Sequence, residues 1–319
     1  MTSAVKSQAL ETGFARVGIA PAGPVARAEA FQRWLAGGLH ADMRYMARNV
    51  AQRLRPDLLV PGARSVICLA AGYAPKCQSK DGGSAAQAVQ SAIRNPQSAI
   101  PLVARFACGR DYHKVLKRRC IRLMDRLRKE FPGFAGRAFV DSGPVMERSL
   151  AAAAGVGWIG RNGCLVAPGL GSYVLLCEII CNLPLAPDGP IQSQCEGCGL
   201  CVEACPTGAL RGDGLVDARL CISYQTIENR GEIPPGLRPL MGRRIFGCDA
   251  CQEACPHNKG LPPGDAELIA DGPVLGGAGP EEILRWTDAD WDAATRGRTL
   301  RRATCEMFRR NAAIAAASG

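Results

Sequence analysis

The chain has 319 residues, 47% of them hydrophobic and 21% charged, enough apolar material for a sizeable core and for two domains. Lys and Arg outnumber Asp and Glu by 39 to 29, a formal charge of +10 that suits a polyanionic partner without specifying a fold. Aromatic residues are only 5%, which argues against a surface built mainly to stack bases, and 16 cysteines are too dilute for a small disulfide scaffold.

The opening stretch MTSAVKSQALETGFARVG carries neither an apolar signal core nor a twin arginine, so a cytoplasmic protein is expected. In that compartment cysteines serve metals or catalysis more often than disulfides. The most apolar segment, Ser172 to Ala186, is broken by Glu178 and is too short to span a bilayer.

Residues 1–75 alternate helical and strand patterns, with Phe31, Trp34 and Leu35 on one helical face and SVICLAAGYA (65–74) as a buried strand. Residues 77–100 are polar, repeat QSAI twice and read as a flexible insertion, which leaves Cys77 without a role. From His113 to Lys129 the pattern predicts a helix, apolar along Leu116, Cys120, Leu123 and Leu127 and basic over much of the remainder. RAFVDSGP (137–144) reads as a strand ending in a turn and VMERSLAAAA (145–154) as a helix. CLVA (164–167) and SYVLLCEII (172–180) read as two further strands, and a helix is expected from Thr299 to Ala317. Gly155, Gly157 and Gly160 form a G-x-G-x-x-G, but it follows a helix rather than a strand, so a dinucleotide fingerprint is rejected.

A Pro-rich connector (182–190) ends this part, and there the cysteines change character. Cys195, Cys198, Cys201 and Cys205, followed by Pro206, form C-x2-C-x2-C-x3-C-P, the bacterial ferredoxin run. Its first three thiolates suit one [4Fe–4S] cube, and its fourth ligates the other cluster in two-cluster proteins. Cys248, Cys251 and Cys255 form a second run one cysteine short, and the isolated Cys221 is the natural supplement. The expected sets are Cys195, Cys198, Cys201 and Cys255 for one cluster, and Cys205, Cys221, Cys248 and Cys251 for the other. Paired C-x2-C units also bind zinc, but zinc has no use for the interlocked run.

GRDYHKVLKRR (109–119), VDSGPVMERSLAAAAGVGWIGRNGCL (140–165), GSYVLLCEII (171–180), LCISYQTIE (220–228) and RIFGCDACQEACPHN (244–258) together resemble epoxyqueuosine reductases over nearly the whole chain. The resemblance implies an α/β (α+β) cobalamin-binding catalytic domain over 1–188, similar in fold to reductive dehalogenases. A ferredoxin-like double [4Fe–4S] domain over 189–260 and a helical C-terminal segment over 261–319 follow. It further implies reduction of the epoxide of epoxyqueuosine, at the tRNA wobble position, to queuosine, the final step of its synthesis. Removing an epoxide oxygen needs two electrons and protonation of the departing oxygen; clusters deliver electrons singly and cobalamin stores them.

By the same resemblance Asp141 is the proton donor, and burial beneath a corrin would raise its pKa as a general acid requires. A capping role for the turn and helix is the bland alternative. Arg53 matches an arginine at the cobalamin, although its neighbour Arg55 departs from the usual Asp or Asn. Leu165 and Leu176 are expected along the corrin face, and Ser223 and Asp249 where cluster and corrin meet. Tyr112 and His113 belong to the DYH motif, where either a structural or a site role is open. Cys108 is expected as a buried small hydrophobe, and His257 beside the last cluster or at the surface. Lys114, Lys117, Arg118, Arg296, Arg298, Arg301, Arg302, Arg309 and Arg310 are candidate phosphate contacts on tRNA. A C-terminal helical-repeat segment common in the family is expected to be lacking, which bears on tRNA binding more than on chemistry. The electron donor is an unidentified low-potential reductant, and nothing demands more than a monomer. Another corrinoid reductase, dehalogenase-like, is a competing reading, but such enzymes usually carry the export signal missing here. A pure electron carrier would not need the 188 residues that precede the clusters.

Overall fold

The computed structural model describes residues 1–75, 102–269 and 272–318, so the insertion expected over 77–100 lies outside the described residues. Helix α1 (Thr2–Glu11) leads into strand β1 (Arg16–Pro21), then α2 (Ala28–Ala36) and β2 (Ser65–Gly72). Strand β3 (Leu102–Val103) precedes the long helix α3 (Tyr112–Glu130), β4 (Gly136–Phe139) and helix α4 (Glu147–Ala153). A hairpin of β5 (Trp158–Ile159) and β6 (Leu165–Val166) is followed by β7 (Val174–Cys181). The central sheet has the order β1-β2-β7-β4, and every neighbouring pair is antiparallel. The architecture is therefore α+β, and the glycine-rich stretch leads into the β5–β6 hairpin, not a helix.

Both faces of the sheet are covered, which explains why β2 is apolar after its first residue, Ser65, and buried at every position. On one face pack Leu116, Cys120, Leu123 and Leu127, the predicted face of α3, all at 0% exposure. On the other face pack Leu150 and Ala151 of α4, against Val66, Cys68 and Ile180.

Beyond β7 come α5 (Ile222–Ile227), β8 (Arg244–Phe246) and the terminal helix α6 (Cys305–Ala316). Strand β3 pairs in parallel with β8, so the two halves of the chain share a ladder. Phe246, Trp286, Leu300 and Phe308 form a separate core. Buried Asn311 donates to the carbonyls of Thr226 at 3.1 Å and Ile245 at 2.8 Å, tying α6 to this part. The single helix expected over 299–317 is broken. A 3-10 turn covers Thr299–Arg302, and Thr304 then caps α6 by accepting from the Met307 N–H.

The cysteine-rich part docks on the sheet through Asn258. Its Oδ1 accepts from the Ser172 N–H at 2.7 Å, and its amide donates to Ser172 Oγ at 2.8 Å. Gly171 makes room for it: φ is +60°, and a Cβ there would stand 2.0 Å from Asn258 Oδ1.

Glu178, predicted only as an interruption of an apolar strand, lies on β7 between Cys68 of β2 and Phe139 of β4. It is 0% exposed, and both its carboxyl oxygens lack hydrogen-bond partners. Burial, reinforced by the nearby Glu147, pushes its pKa well above the ordinary 4.5, so the group is neutral in the fold. The unfolded chain sheds this proton above about pH 4.5 while the fold retains it, so each pH unit through that window costs about 1.4 kcal/mol of stability. Glu178→Gln removes this dependence. Urea unfolding at a series of pH values should show the variant gaining on the wild type as pH rises; a constant difference would contradict a neutral Glu178.

Candidate active site

Strand β4 ends at Phe139, and the chain turns outward at Asp141, which has φ +52°. That left-handed conformation is disfavoured for side chains other than glycine, although Asp tolerates it better than most. Two contacts hold it. The Ser142 N–H donates to the Val140 carbonyl at 2.6 Å, and Glu147 Oε1, in the first turn of α4, accepts from the Asp141 N–H at 2.6 Å.

The Asp141 side chain meets the start of α3. Tyr112 donates its hydroxyl to Asp141 Oδ2 at 2.5 Å, and His113 Nε2 stands 3.5 Å from the same oxygen. The other ring nitrogen of His113 is 2.9 Å from Asp111 Oδ1, and Asp111 also caps α3 by accepting the His113 N–H. The Tyr112 and His113 rings stack at 4.1 Å. DYH thus forms one chain of polar groups, Asp111–His113–Asp141, with Tyr112 as a second donor. Despite these bonds the Asp141 side chain remains 57% exposed.

Electrostatics follow from this geometry. Burial works to raise Asp141, but the bonds from His113 and Tyr112 and the charge of His113 outweigh it and hold the carboxyl below its ordinary range. For His113 burial works downward, and the bonds to Asp141 and Asp111 reverse it, so the imidazole is raised. Tyr112 is raised by burial and by the Asp141 carboxylate, and remains a neutral donor. Glu147 is pushed up to about 8, by burial first and then by the charge of Asp141. In this arrangement the carboxyl raised by burial is that of Glu147, while His113 and Tyr112 hold Asp141 low.

The cysteines gather in two groups. Cys195, Cys198, Cys201 and Cys255 line one cavity together with Gly160, Arg161 and His257. The Cys255 thiol is raised by burial and by the three other sulfurs of this group. In the other group burial pushes Cys221 up to about 11, and its neighbouring sulfurs are Cys248 and Cys205. Cys251 bonds to Cys164 and faces Cys248 and Cys221. Among the described residues no three His, Cys, Asp or Glu side chains come together closely enough to hold a single metal ion. Thiols spaced around a void suit the four iron corners of a cube rather than one zinc.

The other predicted residues fall at varied distances from this centre. Arg53 is 8% exposed and gives its donors to the carbonyls of Tyr45 at 3.0 Å and Arg48 at 3.3 Å. Leu165 and Leu176 pack in the core on the α4 side of the sheet. Ser223 Oγ accepts from the N–H of Cys248 at 3.1 Å, beside the second cysteine group. Asp249 accepts the Arg105 N–H at 2.8 Å; burial pushes its carboxyl up to about 6 against the pull of Arg105. Cys108 is half-buried and raised to about 12 by burial. Sequence reasoning missed Glu147, Cys164 and Arg105 as members of these sites, because each reaches its partner through a turn or across the fold rather than through a spacing.

Several candidate phosphate contacts are engaged internally. Arg310 donates to the carbonyls of Asn229 and Gln225 at 2.8 Å, Arg302 pairs with Glu228 at 2.8 Å, and Arg296 and Arg301 both pair with Asp292 at 2.5 Å. Arg118 pairs with Glu267 at 3.1 Å, and Lys117 donates to the Ala138 carbonyl at 3.3 Å.

The family model described as epoxyqueuosine reductase QueG matches residues 53–142, and one described as a 4Fe-4S double cluster binding domain matches residues 194–258. The chain is 40% identical to the epoxyqueuosine reductase of Alicycliphilus denitrificans over 316 residues, covering 98% of this chain and 85% of that one. The chain belongs to the epoxyqueuosine reductase family. A solved epoxyqueuosine reductase bound to an epoxyqueuosine-modified tRNA-Tyr stem loop is 28% identical, with a TM-score of 0.88 over 99% of this chain and 80% of that one. The Bacillus subtilis epoxyqueuosine reductase, captured with its catalytic aspartate loop swung out of the active site, is 27% identical. Its TM-score is 0.85, over 99% of this chain and 81% of that one. Among the described residues of this epoxyqueuosine reductase no helix is long and apolar enough to cross a membrane.

Proposed function

We propose that this epoxyqueuosine reductase removes the epoxide oxygen of epoxyqueuosine at the tRNA wobble position with Asp141 as the proton donor. The overall change takes up two electrons and two protons, breaks two C–O bonds, forms a C=C bond and releases water. The observation that carries the assignment is Asp141 itself: a carboxyl open on one side, held on the other by Tyr112 and by His113, whose far nitrogen rests on Asp111. Such an acid can protonate the departing oxygen and be recharged from the imidazole behind it.

Each cysteine group holds one [4Fe–4S] cluster, Cys195, Cys198, Cys201 and Cys255 the first and Cys205, Cys221, Cys248 and Cys251 the second. Eight thiols in two fours are the donor set such clusters require, and the oxidised pair at roughly −2 each leaves the holoprotein basic. The second cluster is the nearer to the reaction. Cys251 bonds to Cys164, which precedes Leu165, and Glu147, bonded to Asp141, precedes Arg148, whose charge reaches Cys164. Cobalamin, when bound, supplies a metal centre that collects single electrons for a two-electron step. Asp141, Arg53, Leu165, Leu176, Ser223 and Asp249 would hold it, and the open side of the Asp141 carboxyl fits a large group laid against it. The enzyme works in the cytoplasm as a monomer supplied by a low-potential donor, and residues 1–188, 189–260 and 261–319 are its catalytic, electron-transfer and C-terminal units.

The test is mass analysis of nucleosides from epoxyqueuosine-containing tRNA. The protein is incubated anaerobically after reconstitution with iron, sulfide and cobalamin, with a low-potential reductant present. Loss of one oxygen per modified nucleoside is expected; no conversion by a fully loaded protein would refute the reading.

A further inference from the structure

Trp158 does not belong to the cysteine-rich part, yet its indole reaches into it. It stands at the start of the β5–β6 hairpin, is 4% exposed, and donates its Nε1–H to Cys195 Sγ at 3.3 Å. Its ring is fixed by an edge contact with His257, two residues after Cys255, at 5.1 Å between centroids. The same hairpin sends Arg161 to the Cys198 carbonyl, where Nη1 donates at 2.8 Å. Gly160, Arg161, Asn162 and Val166 complete the wall of the cavity around the four thiols. The catalytic half of the molecule thus supplies one side of the first cluster's surroundings, including a hydrogen bond to a ligand sulfur.

We propose that Trp158 is a positioning residue that sets the reduction potential of the cluster held by Cys195, Cys198, Cys201 and Cys255, raising it through the N–H···S bond. The inference rests on the ligand assignment above. Reduction adds one negative charge to a cluster and spreads part of it onto the thiolate sulfurs, so a donor aimed at Cys195 Sγ stabilises the reduced state more than the oxidised one. A buried indole is suited to the task, because its packing against His257 keeps the ring from turning away from the sulfur. The potential of this cluster is thereby coupled to the position of the catalytic half.

Trp158→Phe keeps an aromatic side chain in place and removes the N–H. In the reconstituted holoprotein, a redox titration followed by electron paramagnetic resonance should show one of two midpoints moving to lower potential. At the poise that half-reduces this cluster in the wild type, its oxidised-to-reduced ratio should rise by about three- to tenfold, tenfold being 59 mV for one electron. The other midpoint should stay in place. A second measurement needs no variant: wild-type protein carrying 15N at the indole nitrogens should show a 15N coupling to one reduced cluster in pulsed resonance spectra. Unmoved midpoints in a fully loaded variant, or absence of that coupling in the wild type, would overturn the proposal. A wild type that assembles only the other cluster would instead overturn the ligand assignment beneath it.

Discussion

Asp141→Asn should lower epoxide reduction by about a hundred- to ten-thousandfold while both clusters remain in place. Asparagine preserves the size of the side chain and can still accept from Tyr112, and the backbone bond to Glu147 is untouched. What it lacks is an exchangeable acid proton facing the substrate. The pH profile then tests where that proton is stored. The pair formed by His113 and Asp141 keeps its proton below the raised pKa of His113, so kcat should fall as pH climbs through that value. Asp111, Tyr112, Tyr45, Glu147 and Arg302 are the other charged or titratable groups bearing on the pair. With His113→Asn the imidazole store is gone, and the alkaline fall should move to lower pH, with a rate loss of about tenfold or more near neutrality. A profile unchanged by His113→Asn would confine that residue to holding the loop.

The contrast between what spacing reveals and what it hides is clear in this loop. The turn after β4, the helix behind it and the apolar face of α3 follow from periodicity and short turns, and they stand where expected. Asp141 was legible only through a resemblance, since an Asp at a strand end caps more often than it reacts. Its partners were half legible: Asp111, Tyr112 and His113 are consecutive, but nothing in their order says that a loop 28 residues onward returns to them. Glu147 was not singled out, since it sits in the first turn of a helix where acids are common. Its bond to the Asp141 N–H depends on a left-handed backbone at Asp141, which no pattern of residue types announces. Arg53 illustrates the opposite case, a residue singled out for a cofactor whose guanidinium also serves two backbone carbonyls. The break before α6 was available in principle, because Thr304 is a good cap; the alanine-rich run beyond it masked the stop.

The cysteine groups lead to the second large effect. The ferredoxin run already implies crossed sets, and the fold places Cys255, from the second run, with the three leading thiols of the first, and Cys205, from the first run, beside Cys221 and Cys248. Removing Cys255 should therefore cost the first cluster, and removing Cys205 the second. Either variant should retain about four irons and four sulfides and lose activity by at least about a hundredfold, because electrons must pass through both clusters. Double variants decide the pairing. Cys195→Ala with Cys255→Ala strikes one cluster twice, so it should retain as much iron as either single variant. Cys248→Ala with Cys255→Ala strikes both clusters and should retain almost none. If each run instead served its own cluster, these two results would exchange places. The crossed arrangement also has a mechanical consequence. Each cluster is bound by segments about 50 residues apart in sequence, so losing one cluster loosens the connecting chain that positions thiols of the other. Reconstitution of the single variants should accordingly be slower than that of the wild type, even for the cluster whose four thiols are intact.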